Sequence, residues 1–151
     1  TAGERRVLRE VIYLSRVNVS KVLVQNEVGE FLAVQKSEDY DWKAGKWELP
    51  GGKIKEKEDR FEAGARELKA ETGLNPKDLR DVVRVEVEEF SDKSVVNCWI
   101  LYTNSFSGNI ELSDEHKEYR WVSAEEFIDL DWHRDAGYEI PIMNNIEEYL
   151  E

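Results

Sequence analysis

The chain has 151 residues, 40% hydrophobic and 36% charged, a composition that suits one folded unit around one core and excludes a low-complexity chain. Its net charge of −12, from 33 acidic against 21 basic residues, argues against a nucleic-acid binder that tracks a phosphate backbone, yet leaves room for a small anionic ligand bridged by a divalent cation. No apolar run approaches the roughly 20 residues that span a bilayer, and Thr1 to Glu10 is charged without a signal-peptide pattern, so a cytoplasmic protein with no membrane partner is expected.

In chain order, Val11 to Tyr13 is a short apolar stretch, read as a first edge strand. Val17 to Gln25 alternates in part and reads as a strand; Asn26 to Glu30, with Gly29, is a turn, and Phe31 to Gln35 returns as the second arm of a hairpin. Ser37 to Lys46 is a polar loop carrying Tyr40 and Trp42. Trp47 to Leu49 is a short extended segment stopped by Pro50-Gly51-Gly52.

The period then becomes helical. Phe61, Ala65 and Leu68 form an apolar stripe, expected to be buried. Asp59 with Glu62 makes a capping box, and Gly73 suits the left-handed residue that ends a helix, so Asp59 to Thr72 is one helix with both ends marked. Val82 to Phe90 and Ser94 to Thr103 are strands of a second hairpin around Ser91 to Lys93. Cys98 lies in the apolar run of the second of these strands. It is read as a small buried thiol, and as the sole cysteine it fits a reducing compartment. Glu118 to Val122 is a further strand, Ser123 and Glu126 cap a short helix, and Tyr138 to Leu150 reads as a terminal helix. Trp47, Trp99 and Trp121 fall in strand-like segments and are taken as core; Trp132 and Tyr138 are candidates to line a pocket. Strands, helix, strands and helices in this order point to an α/β fold with a mixed sheet between helical layers.

The central helix carries the chemistry. Glu67 and Glu71 are four apart and project from one face on successive turns. Two hard oxygen donors at that spacing suit Mg²⁺ or Mn²⁺, although glutamates on a helix are also its ordinary solvated face. Gly51-Gly52 would let backbone approach a bound ion or phosphate closely.

From Gly52 to Leu74 the chain resembles the Nudix signature, G-x5-E-x7-R-E-U-x-E-E-x-G-U with U apolar. Gly52 is followed at the required spacings by Glu58, by Arg66-Glu67-Leu68, and by Glu71, Gly73 and Leu74. Trp47 to Lys53 resembles the segment leading into that box, and Glu118 to Val122 a late strand of the family. The resemblance implies an α/β/α sandwich that hydrolyses a diphosphate linkage in a nucleoside diphosphate derivative, such as a nucleoside triphosphate, a nucleotide sugar or a dinucleotide. It implies Mg²⁺ or Mn²⁺ as cofactor, with Glu71 and Glu67 as ligands and the Gly52 carbonyl as a further candidate. Glu67 would also help deprotonate the attacking water, Arg66 would hold Glu67, and Glu58 would support that network. The Trp47 to Lys53 segment leans toward the branch that cleaves nucleoside triphosphates.

One glutamate of the signature's E-E pair is replaced by Ala70, which would impair the metal site. An engineered substitution and a natural member with a reduced site both account for it. The family's extra acidic ligand from the loop before the late strand has Glu115 as first candidate and Glu118 as second, with Asp114 and His116 behind them. Lys36 and Lys53 flank the presumed phosphate region, and Tyr40 or Trp42 could stack on a base. The alternative from a different class is a Nudix-fold nucleotide sensor that binds without cleaving, which Ala70 favours and intact Arg66, Glu67 and Glu71 oppose. A small nucleotide is the expected partner, with a homodimer allowed.

Overall fold

The computed structural model describes residues 15–38, 44–89, 94–132 and 139–151. In chain order they form β1 (Ser15–Val24), β2 (Phe31–Lys36), β3 (Trp47–Glu48), β4 (Gly51–Lys53), α1 (Arg60–Thr72), β5 (Asn75–Pro76), β6 (Arg80–Glu89) and β7 (Ser94–Thr103). There follow β8 (Phe106–Ser107), β9 (His116–Val122), α2 (Ala124–Asp129), α3 (Glu139–Asn144) and α4 (Ile146–Leu150). The Val11 to Tyr13 strand and the Ser91 to Lys93 turn lie outside the described residues, as do Tyr40, Trp42 and Tyr138.

The main sheet has the order β4-β1-β7-β6. β1 runs parallel to β7 from Ser15 opposite Ser94 to Val24 opposite Thr103, while β4 and β6 pair antiparallel at the two edges. A second sheet, β3-β2-β9, is antiparallel throughout. The β6–β7 pairing is the expected second hairpin.

The expected first hairpin does not form. After one bridge, Gln25 to Phe31, β1 joins the main sheet and β2 the second one. The tight turn is real, with Asn26 N–H on the Glu30 carbonyl at 2.9 Å, but it joins two sheets rather than two paired strands. The short extended segment does stop before Pro50, but Gly51 and Gly52 then open a further strand rather than a turn. Trp47 and Glu48 pair with β2, and Gly51 to Lys53 pair with β1, so Pro50 marks where the chain crosses from one sheet to the other.

Alternation along β1 sorts the core into two layers. Val22 and Val24 pack with Leu32, Leu68 and Leu74 toward α1. Leu23 points the other way and packs with Cys98, Ile100, Tyr102, Phe127, Trp132, Ile142, Met143 and Ile146. A mixed sheet thus lies between α1 and the later helices, the α/β/α arrangement expected. The terminal helix is not continuous: α3 and α4 are separated at Asn145.

The buried face of α1 also differs from the expected stripe. Leu68 is buried, but Phe61 and Ala65 are only half-buried, and the face is completed by Ala63, Gly64, Glu71 and Thr72. Small and polar residues therefore do the packing that large apolar ones were expected to do. Of the strand tryptophans, Trp47 is in the core, whereas Trp99 is half-buried and the half-buried Trp121 stacks on Phe106 at 5.9 Å. Trp132 belongs to the core against Phe127.

Candidate active site and metal centre

Both ends of α1 are held as the sequence predicts. Asp59 accepts from Glu62 N–H at 2.8 Å and the Glu62 carboxylate reaches back to Asp59 N–H; Gly73, at φ 80°, closes the C-terminus on the Lys69 carbonyl. The chain after β8 then folds back over that C-terminus. Glu111 N–H donates to the Thr72 carbonyl at 2.8 Å and Ser113 N–H to the Glu71 carbonyl at 3.2 Å. Ser37, just past β2, fixes the same loop, its N–H on the Glu115 carbonyl at 2.9 Å and its hydroxyl on the Asp114 carbonyl at 2.7 Å. These tethers deliver Glu115 and His116 beside Glu71.

Glu71 is 4% exposed. One carboxylate oxygen accepts from Gly51 N–H at 2.7 Å. That approach needs glycine: at φ 153°, a Cβ on Gly51 would lie 2.2 Å from the Ser20 carbonyl oxygen. The other oxygen lies 4.0 Å from His116 Nδ1, and a Glu115 oxygen lies 3.9 Å from the same nitrogen. Burial, and then the hydrogen bond with Glu115, push the Glu71 carboxyl well above the usual carboxylate range. The Glu115 carboxylate is held low by that hydrogen bond and by Lys36, whose ammonium is 2.9 Å away. The charged form is thus disfavoured at Glu71 and favoured at Glu115, the expected behaviour of two carboxyl groups that share a hydrogen bond.

Glu67 faces the glycine pair one turn earlier. A Cβ on Gly52 would fall 2.7 Å from the Glu67 carboxyl carbon, so the carboxylate rests directly against the backbone there. Arg66 grips it, Nη1 to Glu67 at 2.7 Å, and grips Glu58 through Nε at 2.8 Å and Nη2 at 2.9 Å. Nη2 also donates to the Lys53 carbonyl at 3.0 Å, tying the helix to β4. The Arg66 fork, helped by Lys55 N–H, brings the Glu58 carboxyl down to about 2.

Next to Glu71 and Glu115 lies a second, largely buried network. Burial pushes the Glu48 carboxyl up, but Lys21 at 3.3 Å, the His116 hydrogen bond and Lys36 at 3.7 Å outweigh it and hold the group ionised. His116 Nε2 sits 2.8 Å from Glu48. With that carboxylate ionised, Nε2 is the donor, and in the neutral ring Nδ1 is then a bare lone pair. The His116 side chain is 0% exposed, and its Nδ1 has no hydrogen-bond partner.

The expected residues thus divide. Glu58, Arg66, Glu67, Gly52 and Glu71 cluster along α1 and β4, and Glu115 joins them from the loop before β9. Lys36 is there too, but as a buried partner of Glu115 and Glu48 rather than a free surface lysine. The Lys53 side chain is exposed, with its backbone serving Arg66. Glu118, the second-choice acidic ligand, is exposed on β9 and 3.7 Å from Arg120, outside the Glu71, Glu115 and His116 group, and Asp114 is also exposed. Ala70 is exposed. Glu48 and Lys21 were missed. Their one signal is a glutamate between Trp47 and Leu49 in a segment otherwise read as buried strand.

A divalent cation fits this donor set. Among the described residues, Glu71, Glu115 and His116 bring one ligand atom each within 4.8 Å of one another. Glu71 and the unpartnered imidazole nitrogen are buried and Glu115 is half-buried at the edge, so together they offer a group of donors that a cation satisfies.

Comparison with known proteins agrees with the geometry. A family model described as NUDIX domain matches residues 14–140. A Mycobacterium tuberculosis protein, provisionally named 8-oxo-dGTP diphosphatase 2, is 37% identical over 92 residues, covering 59% of this chain and 62% of that protein; the chain thus spans less than two thirds of its length. The asymmetrical bis(5'-nucleosyl)-tetraphosphatase of Mus musculus is 30% identical over 112 residues, 71% of this chain and 73% of that one. Among solved structures, the MutT protein from Methanosarcina mazei Go1 superposes with a TM-score of 0.75 at 29% identity, covering 91% of this chain and 99% of its own.

Proposed function

Because the chain belongs to the NUDIX family, we propose that it hydrolyses a diphosphate linkage in a nucleoside diphosphate derivative with the help of Mg²⁺ or Mn²⁺. The observation that carries this reading is the buried Glu71 carboxylate, pinned by Gly51 N–H and facing Glu115 and His116. The two relatives above, both named for cleavage of nucleoside polyphosphates, support the substrate class.

Glu71, Glu115, Glu67 and the Gly52 carbonyl are the proposed metal ligands. A cation held there would offset the charge of the diphosphate and lower the pKa of a water it binds. Glu67 is the proposed base, and Arg66 fixes its orientation while being fixed in turn by Glu58. The exposed Lys53 is the proposed contact to phosphate oxygens, and Lys36 the proposed source of positive charge at the floor. Tyr40 and Trp42 remain the proposed stacking residues for the base. The chain is taken as one catalytic domain working in the cytoplasm. Ala70 lowers its activity by removing a carboxylate next to this group.

Release of phosphate or pyrophosphate from a panel of nucleoside triphosphates, nucleotide sugars and dinucleoside polyphosphates tests the reading. Release that requires Mg²⁺ or Mn²⁺ and disappears in Glu71→Gln is the expected result. Tight nucleotide binding without metal-dependent release from any of them, in the parent and in Ala70→Glu, would instead establish the sensor reading that Ala70 favours.

A further inference from the structure

We propose that His116 Nδ1 is itself a ligand of the divalent cation, with Glu71 and Glu115, and that this nitrogen makes the site prefer Mn²⁺ over Mg²⁺. The inference rests on the metal-dependent reading above but adds a residue that the reading leaves outside its ligand set.

Three observations carry it. The His116 side chain is 0% exposed, and its Nδ1 has no hydrogen-bond partner. A buried polar atom without a partner is costly, and a bound ion is one of the groups that satisfies it. Second, the ring is held in the orientation that a ligating histidine needs. Nε2 is 2.8 Å from Glu48, a carboxylate that Lys21 and Lys36 keep ionised, which directs the Nδ1 lone pair away from Glu48. Third, Nδ1 stands close to two carboxyl oxygens without a hydrogen bond to either, Glu71 at 4.0 Å and Glu115 at 3.9 Å. Donor atoms around a cation with bonds of about 2.1 Å stand roughly 3 to 4 Å apart, so both nitrogen-to-oxygen separations already suit ligands of one centre, and the three donors lie within 4.8 Å of one another.

The donor set decides the preference. Mg²⁺ favours an all-oxygen shell and gives up water reluctantly. Imidazole nitrogen suits first-row transition metals, whose affinity rises from Mn²⁺ onward. Replacing one oxygen ligand by His116 Nδ1 therefore shifts the balance away from Mg²⁺ without altering the carboxylates.

The test uses Mn²⁺ alone as the probe, with no nucleotide. Pulsed EPR of Mn²⁺ bound to the full chain should show coupling to an imidazole nitrogen. His116→Gln is the informative variant, because a glutamine amide can keep the hydrogen bond to Glu48 while removing the donor at Nδ1. In it the nitrogen coupling should vanish, Mn²⁺ affinity should fall by at least about tenfold, and Mg²⁺ affinity should change by less than about threefold. Bound Mn²⁺ without nitrogen coupling, or coupling that survives in folded His116→Gln, overturns the proposal. The chain has two histidines. If His116→Gln does not fold, His133→Gln decides: a retained signal assigns the nitrogen to His116, and a lost one overturns it. Hydrolysis without nitrogen coupling would overturn this inference alone, and nitrogen coupling without hydrolysis would overturn only the functional reading.

Discussion

Arg66 and Glu58, eight residues apart, lock together through two parallel hydrogen bonds of 2.8 and 2.9 Å, and the same guanidinium reaches Glu67 at 2.7 Å. The fork makes the Glu58 carboxylate a brace for the proposed base. Its signature is the Glu58 carboxyl, which the Arg66 hydrogen bonds bring down to about 2. A lowered carboxylate pKa contributes stability above the unfolded value and loses it as pH falls through the folded one. Arg66→Gln should therefore melt below the parent at neutral pH, and the gap should narrow as pH falls from about 4 to about 2. Thermal melts across that window, with the Glu58 titration followed by NMR, check the direction. A gap that is constant with pH would mean that Arg66 acts through packing and not through Glu58.

Gly51 and Gly52 are adjacent but should fail differently. A Cβ on Gly51 meets backbone, the Ser20 carbonyl oxygen at 2.2 Å, in a conformation that side chains rarely adopt. Gly51→Ala should cost about 3 kcal/mol or more, because strands β1 and β4 must part. A Cβ on Gly52 meets only the end of Glu67, its carboxyl carbon at 2.7 Å, and that side chain can swing away. Gly52→Ala should cost less than about 1 kcal/mol yet reduce hydrolysis by about tenfold or more, since the proposed base is displaced. Denaturant melts and initial rates on the two variants separate the effects. Equal destabilisation by both would show that Glu67 cannot move.

Glu48 is the shared counter-charge of Lys21 and Lys36 and the anchor of His116. Glu48→Gln preserves size and a hydrogen-bonding group but leaves positive charge underground. Loss of about 3 kcal/mol of folding stability is expected, as for other buried pairs broken from one side. Urea unfolding at neutral pH measures it; a loss under about 1 kcal/mol would show that the lysines can reach solvent once released.

Local signals were legible and long-range ones were not. Asp59 with Glu62, Ser123 with Glu126, and Gly73 mark helix ends through hydrogen bonds made within a few residues, so their pattern survives in sequence. The same holds for Glu58, Arg66, Glu67 and Glu71, which one helix and its entry loop bring together. The parting of β1 from β2 left no trace, because a tight turn looks the same whether its arms keep pairing or join different sheets. Burial on α1 was misread toward Phe61 and Ala65 because the face that packs is made of Ala63, Gly64 and Thr72, which apolar periodicity does not weight. The Glu48, Lys21, Lys36 and His116 network draws on four strands, and each member alone reads as surface charge or a lone structural histidine.

Ala70 poses the sharpest test. It is exposed on α1, directly before the buried Glu71 and three residues after Glu67. A longer side chain there meets solvent rather than core, and glutamate is only slightly poorer than alanine in a helix. Ala70→Glu should therefore fold with a loss below about 1 kcal/mol, most of it repulsion from Glu67 in the absence of cation. With Mg²⁺ or Mn²⁺ the added charge becomes favourable, so the gain in melting temperature on adding metal should be larger than in the parent. Hydrolysis of the preferred nucleotide should rise by at least about tenfold, equivalent to roughly 1.4 kcal/mol of transition-state stabilisation. Melts with and without metal, and initial rates under saturating metal, measure the two effects separately. A variant that gains metal affinity but no rate would assign position 70 to cation binding alone. One that gains neither would remove the missing glutamate as the cause of any weak activity in this chain.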